Sequence, residues 1–94
     1  MIRRIVKMEF EPQHIEAFIE LYFSVREKIE SMPGCHSVEL MKDINHPSTM
    51  FTYSIWDSED DLNTYRKSAL FSGTWAKTKA LFSGPPKAWT VDFV

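Results

Sequence analysis

Few side chains in this sequence are placed to do acid–base or ligand chemistry. The imidazoles are His14, His36 and His46, the one thiol is Cys35, and the phenols in ring-rich segments are Tyr53 and Tyr65. His36 alternates in phase with Val38 and Leu40 along a strand-like segment. An imidazole beside apolar neighbours can be tuned across neutral pH and act as a base, although the same position also suits a hydrogen-bonded structural histidine. Tyr65 falls early in a predicted helix, close enough to its start to reach a cavity between helix and sheet, and a buried phenol there needs a partner. Phe71, Trp75 and Phe82 recur at helical spacing, which serves a packed core first and a ring-lined pocket second.

Other chemistries lack their residues. Gly34, Gly73 and Gly84 are isolated, so no glycine-rich loop can cradle a dinucleotide or a phosphate. No closely spaced His, Cys and Asp set fits zinc, and no Gly-x-Ser-x-Gly elbow exposes a nucleophilic serine. The acidic run Glu59-Asp60-Asp61 follows Ser58 where a helix start favours carboxylates, and consecutive helical residues diverge too far to share a metal. Cys35 reads as a small buried hydrophobe, and a single cysteine rules out an intrachain disulfide. A net charge of -2 gives no long-range pull toward nucleic acid or anionic lipid. The start Met1-Ile2-Arg3-Arg4 precedes no long apolar run, so neither a signal peptide nor a membrane span is expected, and the expected location is cytoplasmic.

The elements that must carry these residues follow from periodicity. Ile2 to Phe10 reads as a strand with Val6, Met8 and Phe10 on one face. Glu11-Pro12 opens a helix, since proline suits the first helical position, and Ile15, Phe18, Ile19, Tyr22, Val25, Ile29 and Met32 form its apolar stripe. Pro33-Gly34 stops it. A second strand runs from Cys35 to about Asp43, Asn45-His46-Pro47-Ser48 turns the chain, and Thr49 to Trp56 is a third strand. A helix capped by Ser58 carries Leu62, Tyr65 and Ala69 inward and is expected to break near Ser72-Gly73, before Lys87 to Val94 completes the set as a last strand. The order gives an α+β, ferredoxin-like split βαβ sandwich, with a four-stranded antiparallel sheet and helices on one face, formed as a single domain over residues 1–94.

Helices on one side leave the other sheet face bare. Phe51 and Tyr53 oppose Met50 and Trp56 on the third strand, so both faces are apolar and a second copy is the expected cover. At 94 residues the chain is of a size at which oligomerisation often completes the core. An aromatic content of 14% is high for so small a core, and surplus rings usually line a pocket or an interface.

Trp56-Asp57-Ser58-Glu59 with Leu62, Tyr65, Ser68 and Phe71, preceded by Thr52-Tyr53-Ser54 and Pro33-Gly34-Cys35, resembles the antibiotic biosynthesis monooxygenase domain family over nearly the whole chain. The resemblance implies a dimeric α+β barrel and, in the oxygenases, a pocket that holds a flat aromatic or quinol-like molecule. By that analogy His36 and Tyr65 are the candidate catalytic residues, and Tyr53, Phe71 and Trp75 the candidate substrate-binding residues. Such a substrate supplies its own electrons to oxygen, so no cofactor and no metal are expected. Haem-degrading relatives use an asparagine on the first strand, then a tryptophan and a histidine on the later helix. Here the first asparagine is Asn45, Tyr65 stands for the tryptophan and Trp75 for the histidine, so haem is not expected. The expected function is a cofactor-independent monooxygenase. Its alternative is a non-catalytic dimer that binds a small apolar ligand or has a regulatory or stress role, and an ionisable group inside the pocket would separate the two.

Overall fold

The computed structural model describes residues 1–94. Its elements are β1 (Ile2–Glu9), a 3-10 turn (Pro12–His14), α1 (Ile15–Glu30), β2 (Cys35–Lys42), β3 (Thr49–Trp56), α2 (Glu59–Arg66), α3 (Ala69–Lys79) and β4 (Lys87–Val91). The strands form one antiparallel sheet in the order β2-β3-β1-β4, so the two edge strands flank a central β3–β1 pair. With three helices this is the α+β ferredoxin-like fold that the element order predicts.

Register decides which side chains meet the helices. Met8 pairs with Met50, Val6 with Thr52, Arg4 with Ser54 and Ile2 with Trp56. These residues share one sheet face, because strand side chains alternate. Met8, Met50 and Trp56 are buried there against Phe18, Tyr22 and Ile29 of α1 and Leu62 of α2. The opposite face presents Ile5, Phe51, Tyr53 and Ile55, with Trp89 and Val91 exposed beside them on β4. No helix covers that face, as the layer count anticipates.

The structure corrects the expected pattern in several places. The helical break lies at Lys67–Ser68, not at Ser72-Gly73. The Ser68 hydroxyl accepts a hydrogen bond from the Phe71 amide and starts α3 afresh, which leaves Gly73 inside a continuous helix. Ala69 therefore begins α3, exposed, rather than extending the stripe of Leu62 and Tyr65. The last strand stops at Val91; Asp92 instead pairs with Arg3 and accepts from the Phe93 amide. His14, at the end of the 3-10 turn, is half-buried.

The β2 alternation fails at its start. Cys35 pairs with Trp56 and Ser37 with Ile55, so His36 is the extra residue of a β-bulge. A bulge leaves its added residue outside the ladder and turns it away from the expected face. His36 is thus exposed while Val38, two residues on, is buried.

Two glycines test this reading. Gly34 has φ 81, and a Cβ there would also strike the Asp61 side chain, whereas a Cβ at Gly73 meets nothing within 4 Å. Gly73→Ala is expected to raise stability by about 0.5–1 kcal/mol, the usual gain inside a helix, and Gly34→Ala to lower it by more than that. Urea midpoints check both, and a loss at Gly73 would return the helical break to that position.

Candidate functional site

The covered face of the sheet is tall at its ends and low in the middle. Between the buried Met8–Met50 pair and Trp56 lie Val6, Thr52, Ser54 and, on β4, Ala88, with the longer Arg4 opposite Ser54 and bonded to Thr90 at the β4 edge. Helices α1 and α3 bridge the tall ends and do not fill the middle, leaving a cavity of about 300 Å³. Its roof is Phe18, Leu21, Tyr22, Val25 and Ile29 from α1 and Phe71, Thr74, Trp75 and Thr78 from α3. Tyr65 and Arg66 from the end of α2 complete the wall, and Pro86, Lys87 and Ala88 stand at the β4 edge. Arg66, Lys87 and Ala88 are exposed, so the cavity opens on that side.

Rings run along this wall in sequence. Trp56 stacks on Tyr65 at 5.1 Å, Tyr65 meets Phe71 edge-on at 5.3 Å, and Phe71 stacks on Trp75 at 5.9 Å. The series continues through Phe82 to Phe10 and Phe18. Such pairs each add about 0.5–1.5 kcal/mol beyond burial, so the wall is stiff before any ligand arrives.

Several polar side chains near the cavity are already used. Tyr22 donates its hydroxyl to the Val38 carbonyl at 2.9 Å, Trp56 Nε1 donates to Ser54 Oγ at 3.0 Å, and Thr78 Oγ1 donates to the Thr74 carbonyl at 2.8 Å. The hydroxyls of Thr52, Thr74 and Tyr65 have no partner in the chain; at Tyr65 a side-chain hydrogen bond reaches only the carbonyl, from Ser68. Burial, with the nearby Cys35 thiol adding to it, pushes the Tyr65 phenol up to about 12. At neutral pH it is therefore a hydrogen-bond donor and not a base.

Of the residues singled out from the sequence, the structure brings Tyr65, Phe71 and Trp75 together on one wall. It does not bring His36 or Tyr53 to them. The bulge puts His36 in solvent, where its Nε2 meets the Asp57 carboxylate. Tyr53 lies on the uncovered sheet face, because its neighbours Thr52 and Ser54 take the cavity side. None of the 3 histidines lines the cavity, so it offers a haem iron no imidazole and, with Cys35 also outside, no thiolate. No cluster of His, Cys, Asp or Glu could hold a metal ion.

Sequence reasoning missed the low floor of Thr52 and Ser54 and the cations Arg4 and Arg66. Arg4 did leave a signal. It alternates in phase with Val6 and Met8, so a charge on the inward face of β1 was readable. Arg66 is exposed and forms no ion pair; Asp92 pairs with Arg3.

Two partly buried acids, Tyr65 in the wall and Cys35 beside it, predict an alkaline limit. Burial, with the Glu30 charge adding to it, pushes the Cys35 thiol from 9.0 up to about 11, as burial pushes Tyr65 from 10.0 up to about 12. The unfolded chain then releases protons first, and stability falls as pH rises from about 9 to about 12. Tyr65→Phe is expected to flatten the upper part of that fall and Cys35→Ser the lower part, as read from urea midpoints across the alkaline range.

The model of the family described as antibiotic biosynthesis monooxygenase matches residues 1–77. A solved structure described as an antibiotic biosynthesis monooxygenase superposes with TM-score 0.92 at 20% identity, covering 100% of this chain and 99% of its own. A conserved protein from Methanosarcina mazei Go1 gives 0.90 at 18% identity over 95% of this chain and 88% of its own. A Bacteroides thetaiotaomicron protein, described as conserved, of unknown function and a possible oxidoreductase, gives 0.87 at 17% identity over 98% and 96%. At these identities the likeness carries the fold alone. No curated protein matches the sequence. No helix is long and apolar enough to cross a membrane.

Proposed function

Because this chain belongs to the antibiotic biosynthesis monooxygenase family, we propose that it binds a small aromatic or quinol-like molecule in the cavity under α1 and α3 and oxidises it with molecular oxygen. One observation carries this reading. A preformed space of about 300 Å³ is walled by Tyr65, Phe71 and Trp75, and the Tyr65 hydroxyl is left uncommitted. That volume lies at the lower end of ordinary small-molecule pockets and suits a flat ring system.

In this reading the rings of Phe71 and Trp75 bind one face of the substrate, and Tyr65 donates a hydrogen bond to a substrate oxygen. Its neutral phenol orients and stabilises charge on that oxygen as the substrate loses a proton. The substrate supplies all the electrons. In its keto tautomer a phenolic ring has a carbon bearing two hydrogens; that carbon loses both and gains one oxygen atom as a carbonyl, while the second oxygen atom leaves with those hydrogens as water. The protein binds, orients and excludes water, and His36 has no part in the step.

A second reading, a dimer that binds the same ligand without turnover, is favoured by one feature of the wall. Neither a carboxylate nor an imidazole lines the cavity. In both readings two copies cover each other's bare sheet faces, which the exposed Trp89, Val91 and Met41 support. Sedimentation velocity should then give a dimer.

Oxygen uptake by the purified protein with quinols and polycyclic phenols separates the two. The monooxygenase reading expects uptake without added flavin or haem. Tyr65→Phe is expected to lower kcat/KM about 10- to 100-fold, the scale of a hydrogen bond to a charged group. Binding with no uptake for any compound would leave the ligand-binding reading in its place.

A further inference from the structure

The charges around the cavity are all of one sign. Arg4 lies on the covered face of β1, opposite Ser54 on β3 and Thr90 on β4, and its Nη1 donates to Thr90 Oγ1 at 2.9 Å. Arg66 closes α2 at the cavity wall, and Lys87 stands at its β4 edge. Besides these cations, the titratable groups lining the cavity are the phenols of Tyr22 and Tyr65.

Neither arginine is neutralised by the chain. The other arginines have carboxylate partners: Arg3 pairs with Asp92, and Arg26 with Glu30 and Glu39. Arg4 and Arg66 have none. Burial and then the charge of Arg66 both disfavour the Arg4 cation, and the carboxylate that offsets them, Glu59, is not part of the cavity wall. A half-buried guanidinium cannot shed its charge at neutral pH, so it keeps an unmet demand for an anion. Its fork of donors matches a carboxylate or an ionised phenol.

We infer that the cavity takes an anion, a flat aromatic molecule carrying an ionised oxygen that Arg4 and Arg66 hold at the open side while its rings lie against Phe71 and Trp75. This rests on the cavity being a ligand pocket, as proposed above, and narrows the ligand to a charge class. It also answers the absence of a carboxylate or imidazole in the wall. Paired cations lower the pKa of a bound phenol or enol, so the substrate can be held as its anion and its proton can leave to water.

The test compares 2-naphthoate with 2-naphthamide, which share a ring system and nearly a shape but differ in charge. Titration calorimetry at low salt is expected to give naphthoate about 10-fold tighter binding or more, a difference of about 1.4 kcal/mol that shrinks as salt is added. Arg66→Gln is expected to weaken naphthoate about 5-fold and leave naphthamide unchanged, and Arg66→Lys to recover part of the loss. Equal binding of the two compounds, or an Arg66→Gln loss shared by both, overturns the inference while the pocket reading stands. Binding of neither overturns both.

Discussion

The structure depends on a difference in side-chain height along one sheet face. Met8, Met50 and Trp56 are almost fully enclosed and hold α1 and α2 at a set distance from the strands. Val6, Thr52 and Ser54 between them are too short to reach the helices at that distance. Protein interiors ordinarily close such gaps, since unfilled volume forfeits contacts on every side. Here the helices cannot descend, because they rest on the tall ends and the ring series from Trp56 to Phe18 stiffens the span between them. The cavity therefore persists at some cost in stability, which a bound ligand would return by mass action.

The fold was legible in the sequence because it rests on local signals. The period-2 face of Val6, Met8 and Phe10, the helical stripe of Phe18, Tyr22 and Ile29, and the Ser58 cap each name one element with one orientation, and all are realised. Strand and helix order then leave little freedom of topology. Misplaced boundaries came from competing local chemistry. Gly73 was a plausible breaker, but Ser68 caps more effectively, and a glycine with open space around it is simply carried within α3.

The site was half legible for a different reason. Phe71 and Trp75 meet through helical spacing within α3, which sequence shows, and Tyr65 reaches Phe71 across the Ser68 break between α2 and α3. The expected face of His36 was lost because a bulge of one residue is a property of pairing with Trp56 and Ile55, not of β2 alone. The placement of Tyr53 was not legible because its face depends on which side of the sheet the helices cover, and ring content could not decide that. The cationic side of the cavity joins Arg4, near the start of the chain, to Arg66, and no local pattern links them.

A crystal structure of the protein soaked with a flat aromatic acid tests the low floor most directly. The account predicts ligand density over Thr52 and Ser54, beneath α1 and α3, with a ring against Trp75 and the acid toward Arg66. Ligand density confined to the bare face around Phe51 and Tyr53, or helices collapsed onto Thr52 with no space between, would contradict it.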